Sequence, residues 1–322
     1  MKMENSQKNK EKPQRIAFEP IVFRGYLIHG DLNSAISYVA QFPEKQDLYH
    51  RYQELFEREH YLEYGIPDEL NQILLAYQKY IREVLYCGRS VSGAEQRLLA
   101  DLKTLFSVPE NMTLEQLDEE IVPQAFTEKG YSCLTGQTGS YYGPYVWRNT
   151  EQETFSVELP DGVEQYPICF LDGFIFRSWL AYISFDEIGT GGWSAGDGTI
   201  CCVRSAYNTD SESFRVSLLK HEAQHEWDKS HYGELPSQEL EYRAKLVELI
   251  YSEERNLLKA FLAEADTSDM GNSHALAANQ IADGFVELTE CSREQLKDLP
   301  VSQVQTIARN LFRRSTESLE GK

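Results

Sequence analysis

Lys220-His221-Glu222-Ala223-Gln224-His225-Glu226-Trp227-Asp228 is the stretch on which the reading of this chain turns. Residues four apart lie on one face of a helix, so a helical segment here aims the imidazoles of His221 and His225 at one point. Two imidazoles so placed are metal ligands in waiting, with zinc the first candidate. Glu222 follows the first histidine, where its carboxylate reaches a water in an open metal position and serves as general base. Zinc would lower that water's pKa to about 7 and polarise the carbonyl under attack. Upstream, Phe214, Leu218, His221 and His225 follow an i, i+4, i+7, i+11 course, and Asp210 or Ser211 is placed to cap the start.

A zinc site needs a third protein ligand, and two residues compete for the place. His231 completes His-Glu-x-x-His-x-x-Asp-x-x-His over residues 221–231, the spacing of the metzincin peptidases, with Asp228 where they carry glycine and Met270 as the one candidate for their methionine turn. Glycine lets a chain leave a helix sharply, whereas Asp adopts a left-handed conformation less readily. Glu241 lies farther on, in Leu240-Glu241-Tyr242-Arg243-Ala244-Lys245-Leu246, after a break at Gly233 and Pro236 that starts a second helix near Ser237. The stretch Glu241-Tyr242-Arg243-Ala244 resembles the Glu-x-x-Ala pattern of the gluzincin peptidases, the group that includes thermolysin. There the third ligand is a glutamate on the helix after His-Glu-x-x-His, and a small alanine lets the two helices approach. The resemblance covers about residues 198–250 and implies a zincin-like fold, a bound Zn²⁺ and peptide hydrolysis. Glu241 is the preferred ligand, with Glu239 its neighbour and rival. Lys245 stands where the family often has an acidic residue, so the partner orienting a ligand histidine falls to Asp228 or Glu248.

Composition bounds the rest. At 322 residues and 41% hydrophobic, the chain can bury one large core or two modest ones. A formal charge of −20 argues against general nucleic-acid or anionic-membrane binding, both of which need clustered cations. No apolar run approaches the length of a membrane span; the longest, around Trp179–Phe185, fits a buried strand. Residues 1–15 read as a disordered polar tail without the apolar segment of a signal peptide. The six cysteines (Cys87, Cys133, Cys169, Cys201, Cys202 and Cys291) form no CxxC pair and are expected to be reduced, which implies a cytoplasmic chain.

Residues 16–128 read as a helical region: a helix from Asp31 to before Pro43, then Asp47–Glu63, Pro67–Tyr86, Ser92–Leu105 and Thr113–Ile121. His50 and His60 are off one face and carry no chemistry. At Lys129 the composition turns to Gly, Tyr and Thr, and the boundary is placed there. Strands are expected at 145–148, 154–158, 165–171 and 174–184, with Asp161-Gly162 and Asp172-Gly173 as turns. Gly136–Gly139 lacks the Lys-Ser/Thr ending of a phosphate loop. The resemblance to zincin-like folds implies that the strand at 198–204 is a sheet edge, where a peptide substrate can add as a further strand with Trp193 lining a subsite.

After Tyr251, helices are expected at 252–265, 273–290 and 301–314. His274 opens the middle one and, by the gluzincin resemblance, would stabilise the oxyanion, with Tyr242 and Tyr142 as alternatives. The expectation is therefore an α+β chain whose residues 129–322 form a zincin-like metallohydrolase domain. His221, His225 and Glu241 hold zinc, Glu222 and His274 act in catalysis, and the partner is a peptide or protein substrate. A metal-containing binding protein without turnover and a metal-free helical interaction protein are the alternatives from other classes.

Overall fold

The structure, a computed structural model, describes residues 17–195, 198–254, 256–268 and 270–321; the tail expected at residues 1–15 lies outside them. The chain forms two compact units. One runs to Val146 and adds Ile175–Gly189; the other consists of Trp147–Phe174 and Thr190–Lys322.

The first unit is helical, and its helices begin where short polar side chains satisfy free backbone N–H groups. Asp31 accepts from Ser34 N at 3.1 Å ahead of Leu32–Val39, and Ser90 precedes Val91–Phe106 in the same way. Thr113 and Gln116 form a reciprocal capping box. The helix expected over 47–63 stops earlier: its last turn, Gln53–Glu57, widens into π geometry, and Glu59 takes a positive φ of 59°. The boundary expected at residue 129 is also displaced. Strands Ser132–Leu134, Tyr145–Trp147 and Phe176–Arg177 make a small sheet, and Val146, Phe176, Trp179, Tyr182 and Ile183 join the apolar core of the helices.

The strand expected over 174–184 is a correction of type. Only Phe176–Arg177 is extended, and Ser178–Ile183 is a helix whose residues are almost all buried. A short apolar run buried on every side has no periodicity to separate the two. Asp118 is fully buried in this unit, where it accepts from the Tyr77 hydroxyl and from Gly136 N at 2.7 Å. Burial pushes its carboxyl up to about 6 despite these donors.

The second unit carries a four-stranded mixed sheet. Asn149–Leu159 and Gly162–Asp172 form a long antiparallel hairpin, turning between Leu159 and Gly162. Ile200–Val203 runs parallel to Gly162–Asp172, and Gly192–Ser194 lies antiparallel on its far side. The strand expected at the edge is thus interior, because the preceding segment doubles back and covers it; Gly192–Ser194 is the edge on that side and Asn149–Leu159 the edge on the other. Gly192 is needed there, since a Cβ would meet Leu218 Cδ1 at 2.5 Å and Cys201 O at 2.6 Å.

Helices Ser237–Tyr251, Asn256–Glu264, Ser273–Thr289 and Val301–Leu319 pack with the sheet around one core that includes Phe170, Phe214, Leu246, Ile281 and Phe285. None of the six cysteines forms a disulfide. Among the described residues no helix is long and apolar enough to cross a membrane.

Candidate metal centre

The ligand helix is built as the apolar stripe requires. Ser211 Oγ accepts from Phe214 N at 3.1 Å, Phe214 and Leu218 are buried, and the segment Ser213–Lys220 is wound as a π-helix before continuing as the α-helix His221–Tyr232. A wide turn of this kind is uncommon in helices and frequent at functional sites. The helix ends at Gly233, whose φ of 73° turns the chain back, and the return helix starts after Pro236.

This return brings Glu241 to the two histidines. His221 Nε2 and His225 Nε2 are 3.1 Å apart, Glu241 Oε2 is 3.4 Å from the first, and Glu241 Oε1 is 3.6 Å from the second. A tetrahedral ion with bonds of about 2.0–2.1 Å separates its ligand atoms by roughly 3.3 Å, and the three distances bracket that value. His221 Nδ1 lies 2.7 Å from Glu248 Oε1, which is buried. If Nδ1 donates to that carboxylate, Nε2 carries the lone pair that a metal requires.

One further feature suits a cation. Glu241 Oε2 is buried without a well-directed hydrogen bond, with only the His274 Nδ1 atom at ion-pair distance, 2.9 Å, and such a group is costly unless something satisfies it. His225 Nδ1, across its ring from Nε2, is buried and without a partner among the described residues. The electrostatics agree. Burial pushes the His221 imidazolium down, but the Glu241 and Glu248 carboxylates outweigh it and raise it to about 10. Burial pushes Glu241 up, but the three imidazoles of His221, His225 and His274 hold it well below the usual carboxylate range.

His231 is elsewhere. The helix continues through Asp228 to Tyr232, so the chain does not bend toward the ligands; His231 stacks on Trp227 at 4.1 Å, with Nδ1 2.9 Å from Trp227 O. Glu239 accepts from Ser315 Oγ at 2.7 Å. His274 stands at the rim with 53% of its side chain exposed, its Nδ1 2.9 Å from Glu241 Oε2. Tyr242 is buried in the core, and Tyr142 belongs to the other unit.

Glu222 shares its helix face with Glu226, and both reach the strand edge. Ser194 N donates to Glu222 Oε2 at 2.9 Å; Glu226 accepts from the Ser194 hydroxyl and from Gly198 N at 2.9 Å. An open cavity of about 550 Å³ lies along this face, lined by Tyr166, Pro167, Gly198, Glu226, Lys229 and Ser230. It begins one turn beyond Glu222 and does not include the three candidate ligands.

Asp228, the residue in the metzincin glycine position, has a different task. Its two oxygens accept from Arg243 Nε at 3.0 and 2.9 Å, and both side chains are fully buried. Arg243 also donates to Ser315 Oγ and Thr316 Oγ1 at 3.0 Å and lies 4.2 Å from the Phe312 ring. Sequence reasoning passed over Arg243, Ser194 and Glu226. The signal for the first was present: Arg243 and Lys245 flank Ala244 within an apolar stretch, and cations so placed need partners. Lys245 finds Glu264 at 2.8 Å.

No family model, curated protein or solved structure matches this chain.

Proposed function

We propose that the chain is a zinc-dependent metallopeptidase of the zincin type, with His221, His225 and Glu241 as ligands and Glu222 as general base. The observation that carries this reading is the convergence of two Nε2 atoms, from the helix that also bears Glu222, with the buried Glu241 carboxylate of the return helix at tetrahedral spacing. Zinc bound there would supply a Lewis acid and a water of lowered pKa.

The chain's own groups account for the remaining chemistry. Ser194 N–H holds Glu222 Oε2, leaving Oε1 to accept the proton of the attacking water and return it to the leaving nitrogen. The backbone bonds Val203 N to Gly191 O and Ala195 N to Thr199 O fix the pairing phase of the edge strand, so that Gly192 and Ser194 turn their backbone groups away from the sheet. An extended peptide can pair with Gly192 on that side. The open cavity beside Glu226 and Lys229 then receives a side chain or chain end.

The experiment is turnover of a quenched fluorescent peptide library by zinc-loaded protein, with Glu222→Gln as the control. Cleavage that falls by about 10² or more in the variant supports the reading. Equal cleavage by both proteins would remove Glu222 from the mechanism, and a library left intact by the zinc-loaded protein would favour a metal-containing binding protein.

A further inference from the structure

A glutamate that ligates zinc can offer one oxygen or two, and the choice decides whether a position remains for water. In this site the carboxylate of Glu241 faces the histidine pair with both oxygens, Oε2 toward His221 at 3.4 Å and Oε1 toward His225 at 3.6 Å. Nothing in the ligand pair itself selects one oxygen over the other. A two-oxygen mode would fill the coordination position that hydrolysis needs open.

The asymmetry comes from a third element. Asn272 caps the helix Ser273–Thr289 by accepting from Ala275 N at 3.1 Å, which fixes the first turn, and His274 lies in that turn. Gln238 donates to Gln280 at 2.9 Å and ties this helix to the return helix. The His274 ring is nearly parallel to that of His221, at 6.5 Å and 16°, and its Nδ1 comes within 2.9 Å of Glu241 Oε2 alone.

We propose that His274 is a positioning residue for the third ligand: its ring, at ion-pair distance from Glu241 Oε2, turns Nδ1–H onto that oxygen when metal binds, so that Oε1 is the oxygen presented to the metal and one coordination position stays open. This rests on the zinc-site reading above. It assigns His274 a contact with the ligand carboxylate in place of the oxyanion contact expected from the family resemblance. Outer groups that orient a ligand commonly contribute about 10–100-fold to metal affinity.

The test uses the full chain and the metal alone. Zinc affinity is measured by chelator competition, and the visible spectrum of the Co²⁺ form reports coordination number, for wild type, His274→Ala and His274→Asn. Asparagine places an amide N–H close to where Nδ1 donates. His274→Ala is expected to lose about 10–100-fold in zinc affinity and to replace intense four-coordinate Co²⁺ bands with weaker five-coordinate ones as Glu241 takes up both oxygens. His274→Asn is expected to restore most of the affinity and the four-coordinate bands. Because His274 is half exposed, the metal-free variants should melt with wild type, which separates ligand positioning from folding. Unchanged affinity and spectrum in His274→Ala, or an Asn variant as impaired as Ala, overturns the proposal while leaving the zinc site standing. A wild-type protein that binds neither metal overturns the zinc-site reading and this proposal with it.

Discussion

Replacing Asp228 with Asn removes the charge that neutralises a fully buried guanidinium, and the structure allows the cost to be worked out. Arg243 gives Nε to both Asp228 oxygens, and the pair joins the ligand helix to the return helix within three residues of His225 and two of Glu241. Breaking a buried pair by removing one partner costs about 3–5 kcal/mol, because an unneutralised charge stays behind. Several contacts survive the change: two hydroxyl acceptors at 3.0 Å, the Phe312 ring at 4.2 Å and Asp161 Oδ2 at 3.7 Å. The Asn side chain also keeps one acceptor oxygen. The loss should therefore fall near the lower end, about 3 kcal/mol, and Asp228→Ala should lie closer to 5. Urea unfolding of the metal-free proteins measures this directly. The double variant Asp228→Leu with Arg243→Met should recover most of the loss, since apolar replacement of a buried pair is often neutral. A loss under about 1 kcal/mol in Asp228→Asn would refute the reasoning and mark the pair as solvated in solution.

Three further outcomes are expected. Glu248→Gln should weaken zinc by about 10-fold or more while leaving the fold intact, because the amide orients the His221 ring less firmly; chelator competition reads the change. His231→Ala should leave zinc affinity at the wild-type value in the same assay, since that ring stacks on Trp227 away from the ligands. Asp118 has a folded-state pKa raised to about 6 from 3.8, so the folded form holds its proton more tightly than the unfolded chain. Its effect on stability is smallest below about pH 4, where both states are protonated, and stability falls as pH rises through about 6, by roughly 3 kcal/mol in all. Asp118→Asn removes this dependence, so the difference in unfolding free energy between variant and wild type should shift by roughly 2 kcal/mol between pH 4 and 6.5. A difference that stays flat with pH would contradict the assignment.

The parts of the site that depend on helical spacing were legible in the sequence. His221 and His225 share a face because they are four apart, and the Gly233–Pro236 break marks the only place where the chain could return Glu241 across them. The contacts that depend on how helices cross were not legible. Asp228 and Glu248 were equal candidates to orient a ligand histidine; the crossing gives Glu248 to His221 and Asp228 to Arg243. His274 reaches Glu241 from a helix more than thirty residues on, and no local pattern reports which ring atom it offers. The edge strand was misplaced because Gly192–Ser194 is only three residues long, too short for alternation to show. The boundary at residue 129 failed for a related reason: a change in composition marks where strands begin, not which core they bury against.

The central claim is that His221, His225 and Glu241 together hold zinc, and metal analysis of protein purified without chelators tests it most directly. The account predicts about one zinc per chain for wild type and His231→Ala, and a large loss in His225→Ala and Glu241→Ala that added zinc does not restore at matched folding. Wild-type protein that stays free of zinc after incubation with excess metal, or that keeps its zinc when Glu241 is replaced, would contradict it.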